Sequence, residues 1–394
     1  MTLGFVLVLV PLAVLAYAYV LYPALLWCLA RFSGERLAPP AFADWPAITI
    51  TLPVHNEEQI LRGTLEHVLS LDYPADRRHV LVISDASTDG TDAIASEFRD
   101  RGVELIRLPS RAGKTAAENA ADAHVRGEII VNIDATARPA HGALKRLVAA
   151  FADQTVGVAS GRDVSTGSGT EHNNVGESRY VGYEMWVRGL ETRFGSIVGA
   201  SGCFYAIRRG LYDRHFPDSL SRDFGSVLIA REHGLRGVSV DAALCAVPRA
   251  RSLQTEFRRK VRTMHRGLET LWYKRALLNP FTHGRFAFAL LSHKLCRWLV
   301  SLTLPLGALG LVILGTQSRA MTWLDLFVAV GLGISAVLLR LPSTSVLRVL
   351  ALPSYLLMAN AAGVVAWWEV FRHEREPIWE PTRRQATESL PVSR

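Results

Sequence analysis

Two aspartates, Asp85 and Asp134, stand where an apolar run stops and a turn begins. Ile129-Ile130-Val131-Asn132-Ile133 reads as a buried parallel strand, and Ala135-Thr136-Ala137-Arg138-Pro139 behind Asp134 cannot prolong it. Ligands of open α/β sheets sit beyond the carboxyl ends of strands. A carboxylate there can hold a divalent cation, and the cation can hold the phosphates of a nucleotide. The competing reading is a strand-end aspartate that caps the next turn. Asp85 ends the run 79–84 and opens Asp85-Ala86-Ser87-Thr88-Asp89-Gly90, rich in turn formers, with Thr91 or Asp92 able to cap a following helix. Its chemical reading is a carboxylate accepting hydrogen bonds from a base or ribose. Ala112-Gly113-Lys114-Thr115 looks like the end of a P-loop, but Leu108 stands where that loop needs glycine. Lys114 can still meet a phosphate; a solvated loop lysine is the alternative. No G-x-G-x-x-G follows the first strand, so a dinucleotide fold is unsupported.

The elements that would position these residues alternate. Ala47–Leu52 is a β-rich run, followed by Pro53-Val54-His55-Asn56-Glu57-Glu58 and an amphipathic helix to about Leu71. His79–Ser84 is followed by a helix to about Asp100, Val103–Leu108 by the helix Thr115–Val125, and then comes the strand 128–133. Strands separated by helices of this length predict βαβ units and a parallel sheet with right-handed crossovers. The run Tyr180–Glu191 predicts a helix near a membrane face, where Tyr183, Glu184 or Trp186 serve either packing or an acceptor.

The chain has 394 residues, of which 49% are hydrophobic, and a formal charge of +8. Its mean hydropathy of +0.17 is too apolar for an ordinary soluble protein of this size. Residues 3–30 carry no charge and suit a membrane-spanning helix, with none of the marks of a signal peptide. Arg31 and Arg36 follow, so the positive-inside rule puts the next domain in the cytoplasm. A linker over 32–46 leads to a soluble domain over 47–275. Residues 284–298 mix bulky apolar residues with cations, which suits an interfacial helix. Residues 299–315, 324–339 and 349–371 are three further spanning candidates, and 372–394 forms a basic tail. Three C-terminal spans would put that tail outside, against the charge rule; a re-entrant or interfacial segment would remove the conflict. Cys28, Cys203, Cys245 and Cys296 have neither zinc nor disulfide spacing. The positive charge fits an anionic membrane surface and phosphate-bearing substrates, and without a basic stripe interleaved with aromatics it does not indicate nucleic acid.

Taken in order, Pro53-Val54-His55-Asn56-Glu57-Glu58, Asp85–Gly90, Gly113-Lys114 with Asn119, and Asp134-Ala135-Thr136 resemble the motifs of family 2 glycosyltransferases. The likeness continues through Gly199–Gly202, Tyr205–Arg209, Ser221-Arg222-Asp223-Phe224, Arg258–Arg262, Arg266-Gly267 and Trp379–Arg384. It covers roughly 48–275 and the membrane layout. The resemblance implies an inverting enzyme of the hexosyltransferase type with a GT-A fold: a mostly parallel Rossmann-like sheet with flanking helices, plus transmembrane helices at both ends. By the same resemblance Pro53, His55, Glu57 and Asp85 line the pocket for a uracil or guanine nucleoside, and Lys114 meets its phosphates. Asp134, with Thr136, holds Mg or Mn. Asp223 is the general base that takes the acceptor's proton, and Arg258, Arg259 and Arg262 close over the donor diphosphate.

Two departures bear on activity. Thr136 replaces the second acid of the metal-binding Asp-x-Asp motif, acting through its hydroxyl or a bound water if it acts at all. Arg222 stands where the family places an acid; it either lowers the pKa of Asp223 or pairs elsewhere. The Gln-x-x-Arg-Trp motif of processive synthases is absent. The sequence therefore predicts a membrane-bound transferase with a cytoplasmic active site in the inner or plasma membrane. It moves one sugar from a UDP- or GDP-sugar to a hydroxyl acceptor, a lipid-linked saccharide, in exopolysaccharide or cell-envelope synthesis. The rivals are a processive polysaccharide synthase and a silent nucleotide-sugar-binding scaffold protein.

Overall fold

Apolar β-branched runs that pair on both sides make the centre of the molecule. The computed structural model describes residues 2–32, 42–166, 172–212, 216–248, 252–339 and 350–374. Most of the linker, most of the basic tail and the Trp379–Arg384 motif lie outside the described residues. β1 (Ile48–Val54), β2 (Arg78–Ser84), β3 (Val103–Arg107) and β4 (Ile129–Ile133) pair in parallel in the order β3-β2-β1-β4. All seven residues of β1 and all five of β4 are buried, the pattern of a sheet covered on both faces.

The second half adds four strands that the hydrophobic pattern did not predict: β5 (Arg138–Pro139), β6 (Val156–Thr166), β7 (Phe204–Arg208) and β8 (Arg236–Pro248). The complete order is β3-β2-β1-β4-β7-β6-β8-β5. β7 runs antiparallel to both β4 and β6, with Ile133 opposite Phe204. β6 carries Ser160-Gly161-Arg162-Asp163 at its middle and β8 carries Ser239 and Asp241, so neither reads as one continuous apolar run.

Helices cover the faces. α1 (Thr2–Phe32) is followed by α2 (Glu58–Ser70), α3 (Thr91–Glu97), α4 (Lys114–Ala121) and α5 (Ala143–Ala149). Then come α6 (His172–Phe194), α7 (Arg222–Glu232), α8 (Leu253–Tyr273), α9 (Arg285–Gly315), α10 (Arg319–Leu338) and α11 (Ala351–Phe371). α2 shows the logic: Leu61, Leu65 and Val68 fall on one face at helical spacing and are fully buried in the core that also holds Ile50, Leu52 and Val131. Replacing Leu65 by alanine would cost about 2–5 kcal/mol.

Among the described residues α1, α9 and α10 are long and apolar enough to cross a membrane. The stretch 285–298, expected to lie in the interface, runs without a break into 296–315 through a π-turn at Leu291–Leu295. α11 packs along α6 and α8, burying Tyr355, Ala362 and Ala366.

Candidate active site

The loops after β1 and β2 are built as a pair. Asn56 and Ala86, each two residues beyond the end of its strand, have φ of 53° and 52°, a left-handed conformation that costs non-glycine residues of order 1 kcal/mol or more. Hydrogen bonds between the loops hold it. The Asn56 side chain accepts from the Thr88 amide at 2.7 Å, Glu58 Oε2 from the Gly90 amide at 2.8 Å, and Thr91 Oγ1 from the Glu57 amide at 2.8 Å. Thr91 thus braces the β1 loop, while Gly90 stands at the N-cap of α3.

Asp85 is fully buried at the end of β2, and its two carboxylate oxygens accept from the amides of Ala112 at 2.7 Å and Gly113 at 2.8 Å. Gly113 has φ of 95°, open to glycine, and turns the chain into α4. His55 Nδ1 lies 2.7 Å from the Asp85 carbonyl oxygen. Asp85 therefore shapes the loop that launches Lys114. Neither Asp85 nor His55 is among the residues lining the cavity at the strand ends.

That cavity, about 320 Å³, is lined by Pro53, Glu57, Lys114, Asp134, Thr136 and Asp223 among others. β7 brings the last of these together, because the Asp134 amide donates to the Cys203 carbonyl at 3.0 Å just beyond the β4–β7 ladder. Lys114 Nζ donates to Asp134 Oδ1 at 2.5 Å and to the Gly202 carbonyl at 2.9 Å, tying the start of α4, the end of β4 and the segment before β7 into one wall. Burial works against the Lys114 charge, yet Asp134 and then Glu118 outweigh it and hold the ammonium above the usual lysine range. Glu118, one turn along α4, is buried, and that burial raises its carboxyl above the ordinary range despite Lys114 and Arg222.

Asp134 and Thr136 offer one carboxylate and one hydroxyl. Among the described residues no group of three or more His, Cys, Asp or Glu side chains could hold a metal ion. Mg and Mn are commonly bound by one or two carboxylates completed by substrate phosphates and water. The oxygen set fits a cation that arrives with a diphosphate, and does not fit one caged by protein alone.

Asp223 opens α7 opposite this wall. Ser221 Oγ donates to its Oδ1 at 2.6 Å, and a Cβ added at Gly202 would lie 2.9 Å from its Oδ2. The glycine of the Gly199–Gly202 segment thus makes room for the carboxylate. Arg222 points elsewhere: it donates to the Asn119 side chain and to the Tyr212 carbonyl at 3.0 Å, with its guanidinium over the Tyr212 ring. Of the α8 arginines, Arg259, Arg262 and Arg266 line the cavity and Arg258 is exposed outside it. Arg259 is held by Glu256 at 2.7 Å and Glu177 at 3.1 Å.

Sequence reasoning missed Glu118, Asp163 and Arg188, all on the cavity wall. The i,i+4 spacing of Lys114 and Glu118 was a usable signal. Asp163 accepts from Ser201 Oγ at 2.7 Å, a contact between β6 and the segment before β7 that no local pattern announces. On α6, the residues singled out were Tyr183, Glu184 and Trp186. Tyr183 bonds the Tyr19 carbonyl, Glu184 pairs with His293 and Arg297, and Trp186 is half exposed; none lines the cavity.

The profile described as Glycosyl transferase family 2 matches residues 49–216. The chain carries a family 2 glycosyltransferase domain. The mannosyltransferase PcManGT of Pyrobaculum calidifontis, solved with GDP-Man and Mn2+, superposes over 93% of this chain and 99% of its own with a TM-score of 0.73. At 22% identity that likeness shows the fold alone, a GT-A-like mixed α/β sheet with flanking helices. A probable glycosyltransferase of Bacillus subtilis, YdaM, is 28% identical over 179 residues, 43% of this chain and 42% of its own length. A beta-monoglucosyldiacylglycerol synthase of Synechocystis is 34% identical over 117 residues, 29% of this chain and 24% of its own. The chain thus spans less than half the length of either relative. The family 2 domain contributes Pro53, Glu57, Lys114, Asp134, Thr136 and Asp163 to the cavity, whereas Asp223, Arg259 and Arg262 come from beyond the matched residues.

Proposed function

We propose that this chain is a membrane-bound, inverting glycosyltransferase that moves one sugar from a UDP- or GDP-sugar to the hydroxyl of a lipid-linked acceptor. The observation that carries the reading is Asp223 facing Lys114 and Asp134 across one cavity, with Ser221 and Gly202 fixing its carboxylate. Asp223 takes the proton of the acceptor hydroxyl. The acceptor oxygen bonds the anomeric carbon from the side opposite the diphosphate, the sugar–phosphate bond breaks, and the nucleoside diphosphate leaves with the electron pair. Charge grows on the leaving group, and Lys114 and Arg262 stand on the cavity wall to offset it. Asp134 and Thr136 would hold Mg or Mn, which supplies Lewis-acid stabilisation of the diphosphate. Pro53 and Glu57 would meet the nucleoside, with His55 and Asp85 supporting their loops. The apolar helices support residence in the inner or plasma membrane, Arg31 and Arg36 behind the first of them support a cytoplasmic domain, and one relative's name, a beta-monoglucosyldiacylglycerol synthase, supports a lipid acceptor in envelope or exopolysaccharide synthesis.

The test is nucleotide release from a panel of UDP- and GDP-sugars by membranes carrying the protein, with Mg or Mn, against Asp223→Asn. Metal-dependent release from one donor, reduced about 100-fold or more in the variant, is expected. Release that survives the substitution overturns the assignment of the base. Tight nucleotide binding with no release from any donor, acceptor membranes included, would favour a silent scaffold, and products carrying many sugars a processive synthase.

A further inference from the structure

Most cations on the cavity wall are already engaged. Lys114 serves Asp134, Arg222 serves Asn119 and Tyr212, Arg259 serves Glu256 and Glu177, and Arg266 donates to Thr115 Oγ1 and the carbonyls of Asp218 and Leu220. Arg262 has a partner as well. Arg188 differs. Its side chain is only 10% exposed and lines the same cavity from α6. Its one carboxylate contact among the described residues is Glu184 at 3.5 Å, too long for a hydrogen bond, because Glu184 is drawn away by Arg297 and His293. Nε and Nη1 are both buried without a hydrogen-bond partner. A buried guanidinium with open donors is expensive, and one aimed into a cavity calls for an anionic ligand to complete it.

Position narrows which part of the reaction this serves. α6 is bolted to the membrane helix α1, with Tyr22 Oη donating to Glu191 at 2.8 Å and Tyr183 Oη to the Tyr19 carbonyl at 2.9 Å. From α9, the Lys294 ammonium lies over the ring of Phe224, the residue after Asp223, and packs beside Gly199, the residue before the cavity-lining Ala200. Arg188 thus enters the cavity from the helix that packs on an apolar helix long enough to cross a membrane, whereas Lys114 and Asp134 enter it from the start of α4 and the end of β4.

We propose that Arg188 anchors an acceptor subsite specific for a phosphate group, so that the acceptor carries a phosphate beside the hydroxyl that attacks. The inference rests on the glycosyltransferase reading above. The phosphate is bound and left intact; the hydroxyl loses its proton to Asp223 and gains the sugar. The same chemistry is offered by a phospholipid headgroup and by a soluble phosphate ester.

The experiment uses the full chain in phosphatidylcholine nanodiscs with Mn and the preferred donor. Sugar transfer is compared between phosphatidylglycerol and diacylglycerol as lipid acceptors, and between glycerol 3-phosphate and glycerol as soluble ones. The expected result is a preference for the phosphate-bearing member in at least one pair, lost by about tenfold in Arg188→Gln through acceptor KM and partly kept in Arg188→Lys. Nucleotide affinity and thermal midpoint, measured on the same samples, stay unchanged and show that the variant is folded. Preference in the lipid pair alone identifies a headgroup; preference in the soluble pair alone identifies a phosphate ester. The proposal is overturned if the unmodified protein shows no preference, if Arg188→Gln keeps it, or if the substitution weakens charged and neutral acceptors equally. Failure to bind any nucleotide would instead sink the reading on which it rests, and the inference with it.

Discussion

Gly202→Ala tests whether the placement of Asp223, and not only its charge, drives transfer. The added Cβ would stand 2.9 Å from Asp223 Oδ2 and 3.5 Å from Cγ. Ordinary contact begins near 3.4 Å, so the carboxylate has to retreat by about 0.5 Å (3.4 − 2.9). It cannot simply rotate away without loosening the 2.6 Å bond from Ser221 Oγ. Gly202 is not among the glycines with positive φ, so alanine strains no backbone there, and the atom it meets is the end of a side chain. Folding should change by less than about 1 kcal/mol, the range of a tolerated surface-type change. Catalysis should suffer more: a misplacement of about 1 Å can cost about 100-fold, so half of that predicts about tenfold, or about 1.4 kcal/mol of transition-state stabilisation. The assay is single-turnover sugar transfer at saturating donor, beside nucleotide affinity and thermal midpoint. A tenfold slower chemical step with unchanged affinity and midpoint is expected. A rate equal to the unmodified protein, in a preparation where Asp223→Asn is inactive, would refute the argument from position.

Three further perturbations separate roles that share this wall. Asp85→Asn removes one of two acceptors, both on a buried side chain, from the amides of Ala112 and Gly113, so the thermal midpoint should fall by the equivalent of about 1–3 kcal/mol together with nucleotide affinity; a loss of affinity with an unchanged midpoint would show instead that Asp85 touches the nucleotide. Glu118 is raised above its ordinary 4.5 by burial, so the folded state binds more protons than the unfolded one and this carboxyl erodes stability as pH rises past that value. Glu118→Gln should therefore stabilise the protein at pH 7 to 8 and lose that advantage below about pH 4.5, read by thermal midpoints across the range. Thr136→Asp restores a second acid beside Asp134 and should lower the Mn concentration for half-maximal transfer several-fold; an unmoved titration would place Thr136 away from the metal.

Much of the strand-end half of the cavity was legible because it rests on local physics. Apolar runs that stop at Asp85 and Asp134 place two carboxylates beyond the ends of parallel strands. Gly113 before Lys114 marks a helix start, and the long uncharged stretches mark helices apolar enough to cross a membrane. The half of the cavity that α6 supplies was not legible. Arg188 looks like any helix-surface arginine until α6 is packed against α1 and Glu184 is claimed by His293 and Arg297, more than a hundred residues away. Arg222 looked like a neighbour that would perturb Asp223, and only the fold shows it turned toward Asn119 and Tyr212. Sequence by itself determined which residues end strands, begin helices and avoid water, since those preferences act between near neighbours. The tertiary structure decided which charges meet: β7 pairs antiparallel with β4, so Gly202 and Asp223 face Asp134, and a charge's partner is set by long-range contacts that no local pattern encodes.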